Sequence, residues 1–389
     1  MNDLEPWWLA RRGELLGIAA EATPAYVYDL ASLDRAAAEL AALGVFDRLL
    51  YAVKANPHPE ILRRFAALGL GFECVSPGEI ERVLGSCPEI SPERILFTPN
   101  FAPRREYEQA LRIGVHLTLD SLHPLLHWQE SLAGREVFVR LDLGCGAGHH
   151  SHVRTAGAHS KFGIPREEWP ELADLARRAD VRVVGLHSHA GSGILDPEVW
   201  RETAFDLADA TALFPEVQVL DLGGGLGVPD QPSRPRLDLQ PLAEALNALR
   251  GRLEKSGRHF QLWLEPGRYL VAEAGVLLAT VTQVKGKGEN RYVGVDTGMN
   301  SLIRPMLYGA HQEIVNLTRW DEPPAARVTI VGPICETGDV LGVDRLLPET
   351  REGDVLLIAT AGAYGRSMSS SYNLREPARE VVIRGASRG

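Results

Sequence analysis

The sequence predicts an α/β fold, a (βα)8 TIM-type barrel followed by a C-terminal antiparallel β domain, and three observations carry that expectation. From residue 48 onward, short β-rich runs alternate with amphipathic stretches, the pattern of parallel strands joined by helical crossovers. Eight such runs fall within about 220 residues, which matches a closed barrel better than an open doubly wound sheet. After residue 275 the long helical stretches stop, and strand-like runs follow one another across turns.

The eight runs are RLLYAVK (48–54), GFECV (71–75), RILFT (94–98), HLTLD (116–120), EVFVRLD (136–142), VRVVGLHSH (181–189), VQVLDLGGG (217–225) and QLWLEPGRY (261–269). Between them, Ser76-Pro77-Gly78-Glu79 has the capping-box spacing of a helix start. PEVWRETAFDLADATAL spaces its apolar residues at three and four, as a helix facing a core does. The later runs are GVLLATVTQVKG, RYVGVDTG, ARVTIVG, DVLLIAT and EVVIR. The first 25 residues precede the barrel and are expected to pack with the β domain. The expected divisions are therefore 1–25, 26–274 and 275–389.

Composition narrows the partners. The chain has 389 residues, 45% of them hydrophobic, and a formal net charge of -10. It therefore lacks the positive field that holds a phosphate backbone, and no nucleic acid is expected. No apolar run approaches the ~20 residues that cross a bilayer, so no membrane is expected. The start, MNDLEPWWLARRGELLGIAAEA, puts acids where a signal peptide wants bases, and the expected location is cytoplasmic. Cys74, Cys87, Cys145 and Cys335 show no C-x-x-C spacing and are expected to be reduced thiols. Among the basic residues there are 36 Arg and only five Lys. One of the five, Lys54, ends the apolar run 49–53, where mere positive charge has no use.

Barrel enzymes place their chemistry at the C-terminal ends of the strands. Here those ends offer Lys54, Glu73, Asp120, Arg140, His187, His189, glycines 223 to 225, Glu265 and Arg268. An amine nucleophile, an aromatic base, a glycine-rich anion loop and a carboxylate together describe a pyridoxal 5'-phosphate site. Each part also has a plainer reading. Lys54 is either a Schiff-base lysine or an ion-pair partner of Glu73. A lysine partly out of water favours the neutral amine that imine formation needs. Gly223-Gly224-Gly225 lets bare N–H groups approach a phosphate, or makes a tight turn. Glu265 faces a pyridine nitrogen, or forms a surface pair with Arg268. His187 and His189 share a strand face, where His189 could stack on a planar ring or both could bind metal. Cys145, His149, His150 and His152 lack paired metal-ligand spacing, so no metal is expected.

Ten ordered strings then carry a family resemblance: PAYVYD (24–29), YAVKAN (51–56), FECVSPGEI (72–80), SKFGI (160–164), HSHAGSG (187–193), DLGGGLG (221–227), EPGRYLV (265–271), MNSLIRPMLY (299–308), GPICETGD (332–339) and GAYGRSMSSSYN (362–373). The chain resembles the fold-type III pyridoxal-phosphate decarboxylases, the alanine racemase-like barrels. SKFGI, the 304–308 string, Cys-Glu-x-Gly-Asp and Ser-Met-Ser-Ser look like the diaminopimelate branch of that group. The resemblance implies that Lys54 holds the cofactor covalently, His189 stacks on its ring and Glu265 pairs with the ring nitrogen. Ser192, Gly224, Gly225 and Tyr364 would hold the phosphate, with Arg268 reaching both phosphate and substrate. Arg304, Tyr308, Glu336 and Tyr364 would recognise a small amino-acid substrate, meso-2,6-diaminopimelate, and Cys335 would reprotonate its α-carbon. It also implies a head-to-tail homodimer in which Cys335 and Glu336 of the partner subunit complete each site.

The sequence departs from the family pattern at Ala190 and Thr337, and the segment between Arg140 and Ser160 is rich in His. The competing expectations are a decarboxylase of another amino acid (ornithine, arginine, carboxynorspermidine or a specialised-metabolite precursor) and a catalytically silent pyridoxal-phosphate carrier. Glu336 and Arg304 separate the first, because an acceptor and a donor together suit a distal ammonium and carboxylate. The presence of both Lys54 and Cys335 argues against the second.

Overall fold

A computed structural model describes residues 5–144, 160–231, 234–255 and 257–385. All eight predicted barrel runs form strands: Arg48–Ala52, Gly71–Cys74, Ile95–Phe97, His116–Leu119, Glu136–Asp142, Arg182–His187, Val219–Asp221 and Gln261–Leu264. Each pairs in parallel with the next, and the ring closes where Trp263 of the last strand registers with Arg48 of the first. Helices including Pro59–Ala67, Pro77–Ser86, Trp169–Arg178, Glu198–Ala210 and Gln240–Lys255 provide the crossovers. The predicted capping box is present in part. Ser76 Oγ accepts the Glu79 N–H at 3.3 Å, while Glu79 Oε2 reaches back to the Val75 N–H at 2.7 Å rather than to that of Ser76.

Side chains alternate across each strand, so every second residue enters the barrel. Leu50, Leu96, Phe138, Val184, Val219 and Trp263 form an apolar interior cluster. Two residues further along five of these strands stand Ala52, Thr98, Arg140, Asp221 and Glu265, and on the sixth, where the register shifts, His187 pairs with Arg140. The barrel core is thus apolar in its lower part and polar toward the C-terminal rim.

The chain divides into two compact units: Ala37–Val228 with Arg236–Tyr269, and Met1–Ala36 with Pro229–Pro235 and Leu270–Gly389. The second unit contains every later strand expected from the sequence, as Gly275–Lys287, Asn290–Val295, Ala326–Val331, Val355–Ile358 and Arg379–Ile383, and adds Ile314–Asn316 and Val340–Leu347. Its sheet is mostly antiparallel. The pairing of Asn290–Val295 with Ala326–Val331 is parallel, and so is that of Ala25–Asp29 with Arg379–Ile383.

Ala25–Asp29 lies outside the barrel, although the expected boundary at 26 put most of it inside. It registers with Gly275–Lys287 and Arg379–Ile383 in the β unit. The barrel ring is already closed by its eight strands and offers no free edge, whereas an open sheet does. Trp8, Leu15 and Ala19 from the N-terminal helices share one apolar cluster with Val27, Val276, Leu278, Leu317, Leu357 and Ile383.

Gly71 opens its strand facing the barrel interior, where a Cβ would lie 2.5 Å from both the Arg94 carbonyl oxygen and Leu50 Cδ2. A backbone carbonyl cannot swing aside as a side chain can. Gly71→Ala is expected to destabilise the protein by about 1–3 kcal/mol through overpacking, read as a lower Tm; an unchanged Tm would show that the two strands separate freely.

Candidate active site

The strand Arg48–Ala52 runs into a single 3-10 turn, Val53–Ala55, which lifts Lys54 onto the barrel rim. Its Nζ sits 2.6 Å from Glu73 Oε2, and its side chain is 37% exposed against 1% for Glu73. Glu73 also accepts a short hydrogen bond from Thr98 Oγ1. The ion-pair reading of Lys54 is therefore realised.

Glu265 lies just beyond the strand Gln261–Leu264 and is buried. The surface-pair reading with Arg268 does not hold: Arg268 Nη2 donates instead to Ser192 Oγ at 3.1 Å, joining two of the residues expected at the phosphate. Glu265 Oε2 lies 3.3 Å from His187 Nε2, and its Oε1 has no hydrogen-bond partner. Burial opposes its ionisation, yet His187 and the Lys54 cation outweigh burial and hold the carboxyl below its ordinary range.

His189 Nδ1 accepts the Gly224 N–H at 3.0 Å. These two nitrogens thus turn to different protein groups, His187 Nε2 to Glu265 and His189 Nδ1 to the Gly224 N–H. Burial, reinforced by the neighbouring Arg140 and Lys54 cations, holds His189 neutral. The Gly224 N–H expected at a phosphate is already engaged, and its immediate role is to orient the His189 ring. The glycine run answers to crowding as well. A Cβ on Gly223, Gly224 or Gly225 would lie 2.4, 2.2 or 2.3 Å from the carbonyl oxygens of Ser188, Glu265 and Gly191. Gly223 and Gly225 also have φ of 64° and 96°.

Arg140 and Asp120 were noted at strand ends without an assigned task. Arg140 Nε lies 3.8 Å from Asp120 Oδ1, its guanidinium lies over the Phe162 ring, and Asp120 accepts the Gly163 N–H at 3.0 Å. Together they anchor the SKFGI segment to the barrel interior. Cys145, His149, His150 and His152 lie outside the described residues. Thr98 and Asp221 were missed as individual site residues. Counting by twos from Leu96 and Val219 would have placed both inside the barrel.

In the β unit, the guanidinium of buried Arg304 lies 5.4 Å from the Tyr308 ring centroid and 5.8 Å from that of Tyr364. Tyr364 has a left-handed φ of 56°. Cys335 and Glu336 sit exposed on the loop between Ala326–Val331 and Val340–Leu347. That loop is braced by buried Asp339, whose carboxylate accepts the Met299 and Ile334 N–H groups. The Cys335 N–H donates to Asn373 Oδ1 at 2.7 Å.

A lysine amine and a buried carboxylate thus stand on one barrel rim. The family model for the pyridoxal binding domain of pyridoxal-dependent decarboxylases matches residues 31–272. The chain belongs to that family. It is 40% identical to the diaminopimelate decarboxylase of Methanothermobacter thermautotrophicus over 87% of this chain and 80% of the relative. A crystal structure of a diaminopimelate decarboxylase superposes with a TM-score of 0.89 at 33% identity, covering 97% of this chain and 92% of that one. The Helicobacter pylori diaminopimelate decarboxylase complexed with L-lysine superposes with a TM-score of 0.85 at 32% identity, covering 95% and 93%.

The residues present fit the family's cofactor. Lys54 would supply the amine, buried Glu265 has an oxygen, Oε1, without a partner, and Ser192 with Arg268 makes a polar pair suited to a phosphate. Among the described residues no helix is long and apolar enough to cross a membrane.

Glu79, behind Glu73, is mostly buried, and that burial, with the nearby Glu73 charge, raises its carboxyl from 4.5 to about 7. Its folded-state pKa exceeds its unfolded value, so the folded state binds the extra proton and stability falls as pH rises between them. Glu79→Gln keeps an acceptor for the Val75 N–H. The variant's stability relative to wild type is expected to grow by on the order of 2 kcal/mol from about pH 4.5 to 7 and then level off. Denaturant melts across that range check this, and a pH-independent difference would refute it.

Proposed function

We propose that this chain removes the α-carboxylate of meso-2,6-diaminopimelate, giving L-lysine and CO2, the last step of lysine biosynthesis. The observation that carries the reading is buried Glu265, held ionised beside His187 and Lys54 on the barrel rim. When bound, pyridoxal phosphate supplies an electron-accepting ring joined covalently to the substrate amine.

The protein's own groups do the rest. Lys54 would hold the cofactor through its amine, and Glu73, 2.6 Å from that amine, would pair with it whenever it stands free and protonated. Glu265 provides the negative charge that keeps a ring nitrogen protonated; an Arg there would do the opposite. His189, neutral and fixed through the Gly224 N–H, presents a flat face for stacking. Ser192, Arg268, Gly224, Gly225 and Tyr364 are assigned to the phosphate, the two glycines through close backbone approach.

Arg304 and Tyr308 are assigned to the substrate's distal carboxylate and Glu336 to its distal ammonium. A buried guanidinium with aromatic rings beside it is already desolvated, which strengthens its pairing with a carboxylate. Cys335 is assigned to deliver the proton to the α-carbon. A head-to-tail homodimer belongs to the same proposal, because exposed Cys335 and Glu336 share the β unit's surface with exposed Met306, Leu307, Tyr372 and Leu374. A cytoplasmic setting is supported by free thiols at Cys74, Cys87 and Cys335.

The test is CO2 release from meso-diaminopimelate beside a panel containing ornithine, arginine and the other diaminopimelate stereoisomers. The expected result is release from the meso compound with lysine formed in equal amount; preference for any other amino acid would overturn the substrate assignment. Glu265→Gln is expected to cost on the order of 3 kcal/mol in kcat/KM, about 100-fold, the loss of one preorganised electrostatic group. Turnover at the wild-type rate would remove Glu265 from the ring nitrogen.

A further inference from the structure

Asp221 stands beside Glu265 and His187, and no step assigned so far uses it. The three residues end neighbouring strands, with His187 in register with Asp221 and Asp221 in register with Trp263, two residues before Glu265. One polar atom of each lies within 4.8 Å of the others, and all three residues are buried. Asp221 Oδ1 accepts the Gly223 N–H at 2.9 Å, leaving Oδ2 buried without a partner. Glu265 has the matching defect at Oε1.

Two carboxylates ionised side by side in a space closed to water would combine desolvation with like-charge repulsion. One proton shared between the two carboxyls removes the repulsion and gives the orphaned Asp221 Oδ2 a partner. The surrounding groups decide which carboxyl holds it. Glu265 faces His187, Lys54 and His189, with Arg140 also close enough to act on it. Asp221 is dominated by burial and faces Glu265 and Glu73, with only the Gly223 N–H favouring its anion.

We propose that Asp221 is a positioning residue for the reaction: a neutral carboxylic acid that donates a hydrogen bond to the Glu265 carboxylate and keeps that carboxylate ionised and aimed at the cofactor's ring nitrogen. The inference rests on the assignment of Glu265 to that nitrogen. It explains why an acid stands at the start of DLGGGLG, where a residue serving only to cap the turn needs no second oxygen. His187 and Asp221 then both hold the Glu265 carboxylate, so that its charge and its orientation are set together.

Two substitutions and one spectrum test this. Asp221→Asn keeps an acceptor for Gly223 and a donor for Glu265, and so mimics the neutral acid. Asp221→Leu removes both. In the asparagine holoenzyme the cofactor dissociation constant is expected within about threefold of wild type, with the pH dependence of the cofactor's visible absorbance unchanged. In the leucine variant the cofactor is expected to bind at least about tenfold more weakly, with that pH dependence shifted. Infrared difference spectra of wild type at neutral pH are expected to contain a protonated-carboxyl C=O stretch that Asp221→Asn abolishes.

A missing band overturns the proposal, as does an asparagine variant that behaves like leucine or a leucine variant that behaves like wild type. If the leucine variant does not fold, the asparagine variant and the infrared band decide the matter. Glu265→Gln separates this inference from the one beneath it. A cofactor spectrum indifferent to Glu265→Gln defeats the ring-nitrogen assignment, whereas a spectrum that responds to it, with no Asp221 band in wild type, defeats the role of Asp221 alone.

Discussion

Closing eight parallel strands into a ring gives every second side chain the same enclosed neighbourhood, and at the C-terminal rim of this barrel that neighbourhood is ionisable. Glu73, Arg140, His187, Asp221 and Glu265 are all buried there, with Lys54 at the edge. A charge taken out of water has to find an opposite charge or hydrogen bonds, or else lose its charge. The rim therefore behaves as one network. Lys54 is tied to Glu73, Glu73 to Thr98, Arg140 to Asp120 and Glu265 to His187. The charge on Glu265 is a property of that whole set.

The same crowding explains the glycines. Rim loops cross so closely at Ser188, Gly191 and Glu265 that no side chain fits on residues 223–225. The bare backbone brings its N–H groups close to side chains, that of Gly223 to Asp221 and that of Gly224 to the imidazole of His189. A ring that is to stack on a flat partner gains from being held before the partner arrives, because its rotamer entropy is already lost. Rigidity and polarity at this rim thus come from one packing constraint.

In the β unit a single buried carboxylate plays the organising part. Asp339 collects two backbone N–H groups and fills space that only Gly298 and Gly332 leave open, where a Cβ would come within 2.2 and 2.4 Å of its oxygens. The loop it braces presents Cys335 and Glu336 at the surface in a defined shape. Arg304 is buried against Tyr308 and Tyr364 within the same unit, so each unit carries its own preformed polar group.

Much of this was legible in the sequence. Period-two runs and turn residues located all eight barrel strands, because a strand buried in a barrel must be apolar over a short, regular stretch. A lysine ending such a run, in a chain that otherwise prefers arginine, singled out Lys54, and strand-end position singled out His189, Glu265 and Arg268. What the linear pattern left open were matters of partnership across strands. Only the folded chain decided that Ala25–Asp29 pairs in the β sheet, that Arg268 turns to Ser192 rather than Glu265, that Gly224 serves His189, and that Asp221 abuts Glu265. Periodicity reports which face of an element is buried, since burial depends on neighbours along the chain. Hydrogen bonds and shared protons depend on distances between residues far apart in sequence, and those distances exist only once the ring has closed.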